Sequence, residues 1–168
     1  MPSSFSVPPD QRFFEDYEAG KVHDLGTTTV SESQIIEFAK EFDPQTFHLD
    51  PAKAAATQFG GIIASGWHTI GLAMRLYVDR FLSHVASLGS PGMEEVRWPS
   101  PVRPGDTLTV RVTVLDARPS RTRPDRGVVR ARVEATNQKD DLVLSMIVIS
   151  LLGRRQPFRN PQKQDSDD

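Results

Sequence analysis

Apolar residues recur along this chain with two different periods. Between Ser31 and Phe42 the apolar positions Ile35, Phe38, Ala39 and Phe42 stand at i, i+3, i+4 and i+7, behind a Ser31/Gln34 capping box. That pattern predicts an amphipathic helix that stops just before Pro44. Asp50 followed by Pro51 predicts the N-cap and first position of a short second helix running through AKAAATQ to Gly60-Gly61. From Trp67 to about Leu88 the chain is apolar on most faces, with Ile70, Met74, Leu76, Tyr77, Val78, Phe81, Leu82 and Val85, as expected of a buried helix. After it the period drops to two. Leu108, Val110, Val112 and Val114 alternate with Thr109, Arg111 and Thr113, and Val129, Ala131, Val133 and Ala135 alternate with Arg130, Arg132, Glu134 and Thr136. Each set predicts a strand with one face on a core. Leu142–Leu152 is apolar on both faces apart from two serines, which predicts a central strand. Val22–Val30 and Met93–Trp98 read as further strands, and PVRPGD (101–106) as a turn.

About five strands in antiparallel sequence must then cover one long helix that follows the first strand. A curved antiparallel sheet wrapped around that helix satisfies both demands and gives the class α+β. A length of 168 residues suits one domain. We place it at 12–153, between polar, Pro-rich or charged stretches at 1–11 and 154–168 that read as flexible tails. The chain has no cysteine, which removes disulfides, thiolate metal sites and cysteine nucleophiles together. A net charge of −2, with Lys and Arg dispersed, gives no drive toward nucleic acid. No segment approaches the ~20 apolar residues of a bilayer span, and no signal peptide is visible, so the expectation is a cytoplasmic protein without membrane association.

The chemistry concentrates in 43–66, DPQTFHLDPAKAAATQFGGIIASG. Asp43 and His48 share a short loop between two predicted helices, where an acid and an imidazole can hold one water or one substrate proton. A glycine-bracketed turn, Gly60 to Gly66, leads into the most apolar helix, whose first backbone N–H groups can receive a developing negative oxygen. The plainer reading of the same residues makes Asp43 a cap of the turn before Pro44 and His48 a hydrogen-bonded loop histidine. On these residues alone the plainer reading is the favoured one; the acid, the base, the glycine turn and the buried helix in this order keep the catalytic reading open. Asp50 reads as an N-cap, and His68 as structural or as a contributor to the pocket. A metal site from His48, Asp50 and His68 lacks the ligand spacing such sites use. Arg118, Arg121, Arg123 and Arg126 read as a solvated hairpin loop, with the phosphate groups of a ligand as the alternative partner.

Asp43-Pro44-Gln45-Thr46-Phe47-His48-Leu49-Asp50, then Phe59-Gly60, Ile63-Ala64-Ser65-Gly66 and PVRPGDTL (101–108), resemble the MaoC-like dehydratases, the hotdog-fold family that includes (R)-specific enoyl-CoA hydratases. Gln45, Thr46 and Ser65 stand where the family usually carries Asn, Pro and His. The resemblance implies a hydro-lyase that interconverts 2-enoyl-CoA and 3-hydroxyacyl-CoA. It implies Asp43 and His48 as catalytic residues and the Gly66 N–H as oxyanion donor, glycine leaving that amide open to the substrate. Gln45, Phe59 and Ser65 would be substrate contacts. It implies no resident cofactor or metal, an acyl-CoA or acyl-carrier-protein thioester as substrate, and a homodimer or an assembly of dimers. An acyl-CoA thioesterase on the same fold and a non-catalytic acyl-binding or assembly subunit are the rival functions.

Overall fold

The computed structural model describes residues 5–156. Strands β1 (Val22–Thr29), β2 (Gly92–Arg97), β3 (Thr107–Pro119), β4 (Arg126–Thr136) and β5 (Leu142–Gly153) form one antiparallel sheet in the order β1-β3-β4-β5-β2. All the α-helices lie between β1 and β2: α1 (Glu32–Phe42), the one-turn α2 (Thr46–Leu49), α3 (Pro51–Ala55) and α4 (Gly66–Leu76). The period-two residues do what their spacing demands. Leu108, Val110, Val112 and Val114 of β3 and Val129, Ala131, Val133 and Ala135 of β4 are fully buried, and they join Ile70, Ala73, Leu76, Tyr77 and Phe81 in one core. Each fully buried Val or Leu among them contributes roughly 1.5–3 kcal/mol. The result is a single α+β hotdog domain.

The long helix departs from expectation in length and in burial. Helix α4 passes into a single π turn, Tyr77–Phe81, and the chain becomes extended at Leu82, so the helix does not reach Leu88. Its last carbonyls are claimed from outside. Arg12 Nη1 donates to the carbonyls of Arg80 (3.0 Å) and Phe81 (2.7 Å), and the Tyr17 hydroxyl donates to Phe81 (2.9 Å). Ser83 Oγ then accepts the Ala86 N–H and closes a turn where a further helical turn would have formed. Trp67 and Val78, on the face turned from the core, are 60% and 39% exposed.

Other boundaries differ by less. The Ser31/Gln34 capping box and the Asp50 cap form as expected, but α3 ends at Ala55 rather than at Gly60-Gly61. Strands β3 and β4 extend past their alternating stretches into a hairpin. Residues 5–11 lie against the domain: the Phe5 ring stacks on His23 with centroids 4.0 Å apart, and the Arg12 guanidinium sits 3.4 Å from its centre. Arg154 and Arg155 pair with Glu15 and Asp16. The rest of both expected tails, 1–4 and 157–168, lies outside the described residues. Among the described residues no helix is long and apolar enough to cross a membrane.

Candidate active site

Helix α1 ends at Phe42, and Asp43 is its C-cap. Pro44 forbids continuation, because a proline disfavours helical backbone in the residue before it. The chain turns and re-enters helix at Thr46 for one turn, which places His48 inside α2 rather than in an open loop. The His48 side chain is 5% exposed, against 19% for that of Asp43. Its Nδ1–H donates to the Ile63 carbonyl at 2.7 Å, since a carbonyl can only accept. That bond fixes the ring and leaves Nε2 as the nitrogen able to take or release a proton. Nε2 lies 3.3 Å from Asp43 Oδ2.

The Asp43 carboxylate is gripped on both oxygens. Ser65 Oγ donates to Oδ2 at 2.7 Å, and Gln45 Nε2 donates to Oδ1 at 2.8 Å. Desolvation pushes the carboxyl up, but the bonds from Ser65 and Gln45 and the neighbouring His48 outweigh it, so Asp43 sits below the ordinary carboxylate range. Ser65 is buried to 1% exposure and has a second task as N-cap of α4, accepting the Trp67 N–H. Backbone bonds from Ile63 N–H to the Phe47 carbonyl and from Ala64 N–H to the Val102 carbonyl hold the 62–65 segment against α2 and the turn before β3.

A cavity of about 440 Å³ opens over these groups and falls within the ~300–1,000 Å³ of small-molecule sites. Asp43, Gln45, His48, Phe59 and Gly66 all line it. The expected site residues are thus brought together, and Ser65 supports them from beneath. Gln45 and Ser65, expected as substrate contacts, bond to the carboxylate of Asp43 itself. His68 lies one turn along α4, stacked on Phe38 with centroids 4.7 Å apart, and burial holds its imidazole below the ordinary range. Arg118 pairs with Asp116, and Arg123 and Arg126 with Asp125. Their hairpin is at the opposite end of β3 from Thr107, whereas the cavity lies where β2 ends and β3 begins.

Sequence reasoning missed the far wall. Trp67, Thr69, Trp98, Val102 and Val143 line the cavity from α4, the β2–β3 connection and the start of β5. Trp98 reaches Gly66, with Nε1–H donating to its carbonyl at 3.0 Å. A large aromatic between a strand and a Pro-rich turn, WPSP, was the one signal available for it.

The family model of the MaoC like domain matches residues 17–139, which includes all of these groups except Val143. The chain is 32% identical over 126 residues to the uncharacterized protein YdeM of Bacillus subtilis, covering 75% of this chain and 88% of that protein. It is 34% identical over 116 residues to the 3-hydroxybutyryl-CoA dehydratase of Methylorubrum extorquens, covering 66% and 69%. A crystal structure of a MaoC-like dehydratase from Rhodospirillum rubrum superposes with a TM-score of 0.80 at 40% identity, over 86% of this chain and 99% of that one. A family model matched over residues 17–139, relatives more than 30% identical and a shared backbone place this chain in the MaoC-like hydratase and dehydratase family.

Proposed function

We propose that the protein hydrates a 2-enoyl-CoA to a 3-hydroxyacyl-CoA and catalyses the reverse dehydration. The observation that carries this reading is the pair formed by His48 Nε2 and Asp43 Oδ2 at 3.3 Å, with the far side of each group already committed to Ile63 or to Gln45. With Nδ1 protonated, Nε2 presents a lone pair toward an anionic oxygen. A water seated over the pair on its cavity side can donate one hydrogen to each and is held with its own lone pairs free. Its oxygen bonds to C3 of the enoyl thioester while its proton passes to Nε2. The C2=C3 electron pair moves to the thioester oxygen, where the Gly66 N–H at the start of α4 stabilises the enolate. Return of a proton to C2 completes the addition of one water.

In this scheme Asp43 remains anionic and orients the water, and His48 is the base. Two copies of the chain joined near the open edge of the sheet would enclose the acyl chain, with a coenzyme A or carrier-protein thioester entering from solvent.

The test is one assay of the purified protein with crotonyl-CoA, following both loss of the conjugated enoyl absorbance and release of free thiol. Hydration without thiol release is the expected outcome. Thiol release would instead identify a thioesterase, and loss of neither a non-catalytic subunit. Asp43→Asn and His48→Gln should each lower turnover by ~10²-fold or more. The double variant should lose less than the product of the single losses, because both groups act on one water.

A further inference from the structure

We infer that Trp98 is the positioning residue of the oxyanion hole: it grips the Gly66 carbonyl and fills the space beside its Cα, so that the adjoining Gly66 N–H, on the peptide that Thr69 holds, keeps one direction at the cavity Gly66 lines. The inference rests on the hydratase reading above for its catalytic consequence, and on geometry alone for the holding itself.

Gly66 is the first residue of α4, so its N–H has no acceptor within the helix. The next amide, that of Trp67, is already taken by Ser65 Oγ. Gly66 has an ordinary helical backbone, and its φ lies outside the positive region that favours glycine. What excludes a side chain is Trp98. A Cβ at Gly66 would lie 2.5 Å from the indole Cε2 and 2.8 Å from Nε1. The space beside this glycine is therefore occupied by indole.

An unsupported glycine has the widest φ/ψ range of any residue, a liability for an amide that must point one way. Here both flanking peptide planes are pinned. Ser65 O accepts from the Thr69 N–H at 3.0 Å and from the Thr69 hydroxyl at 3.2 Å, fixing the peptide that carries the Gly66 N–H. Gly66 O accepts the Trp98 indole N–H at 3.0 Å, fixing the peptide that follows. The indole ring lies where a side chain would otherwise limit rotation.

Trp98 is 44% exposed, so the core does not account for its presence. Its approach is built into β2, whose register shifts between Glu94 and Arg97 around Glu95 at φ 52°. Such a bulge re-aims the strand end, and here the first residue beyond that end crosses to α4. Trp67 meets the indole edge-on, with centroids 6.1 Å apart.

Trp98→Phe keeps a ring over Gly66 and removes only the donor. The expected result is a kcat for crotonyl-CoA lower by about tenfold with KM within about twofold, because the lost contact acts on the enolate and not on bound substrate. In the same variant the ¹⁵N–¹H signal of Gly66 should shift and its amide exchange faster. A raised KM with unchanged kcat would make Trp98 a wall of the substrate site and overturn the inference. An unshifted Gly66 signal overturns it whatever the activity. A wild type that does not hydrate crotonyl-CoA refutes the hydratase reading, while the amide measurement still decides whether Trp98 holds Gly66. If Trp98→Phe does not fold, Gly66→Ala supplies the converse reading: its methyl must displace the indole and shift the Trp98 Nε1–H signal. An unchanged indole signal there also overturns the inference.

Discussion

Asp43 concentrates the residue-scale logic of the site, because three side chains decide how much of its charge is available. Ser65 and Gln45 each donate a hydrogen bond to the carboxylate and hold its pKa down. A carboxyl whose folded pKa lies below its unfolded value of about 3.9 stabilises the fold above that value, and the contribution is lost as pH falls through the folded pKa. Ser65→Ala and Gln45→Leu should therefore each move the Asp43 pKa upward, and the pH at which its contribution to stability is lost should rise with it. Carbon-13 NMR of the Asp43 carboxyl reads the first effect directly, and an unchanged titration in both variants would remove these bonds as its cause. The acid and the imidazole were legible in sequence because they are five residues apart on one connection. Ser65 and Trp98 were not legible as partners. Their contacts span 22 and 32 residues and exist only after α4 has docked beside the β2–β3 connection.

Elements end where other parts of the chain claim their backbone, and local sequence does not announce that. The apolar run continues past Phe81, yet α4 and its π turn stop there because Arg12 and Tyr17 take the last carbonyls and Leu82 turns away. Strand periodicity was read more faithfully, since a one-residue slip would move a whole row of β-branched side chains from the core face to water. The same dependence on distant partners appears at Gly127 in β4. An added Cβ there would run into the Phe14 ring, itself buried in the core, so this glycine marks a close approach of the lead-in turn to the sheet. Gly127→Ala should cost about 1–3 kcal/mol, the usual range for overpacking, and Phe14→Leu in the same chain should recover part of it. Urea unfolding measures both. Turnover per folded molecule should hardly change, because Gly127 opens β4 at the end away from the cavity, where β4 pairs with the close of β5. A full loss of turnover in a folded Gly127→Ala protein would show that the two ends of the sheet are coupled.

At the scale of the whole molecule, the described residues leave large apolar side chains without cover, two of them at the cavity. Trp67 and Trp98 are 60% and 44% exposed at the cavity, and Val78 and Met93 are 39% and 40% exposed on the π turn after α4 and on β2. Strand β2 is an edge strand, with no strand paired to its outer side among the described residues. An open edge beside exposed aromatic residues is a surface that invites pairing. The bulge at Glu95 interrupts the edge, and Glu94 is tied to Arg130, so a backbone ladder to a second copy has only the start of β2 to use. Side-chain burial must then supply most of the association, over something like the ~1,600 Å² of a stable interface. We expect light scattering to report twice the chain mass at micromolar concentration. Met93→Lys should shift the balance toward monomer by placing a charge on the apolar edge. Turnover should fall in parallel with dissociation, since a cavity this open in one chain needs a second wall to hold an acyl group away from water. A monomeric wild type with full hydratase activity would refute the dimer and the shared wall together. A dimeric Met93→Lys protein with unchanged activity would move the interface away from β2.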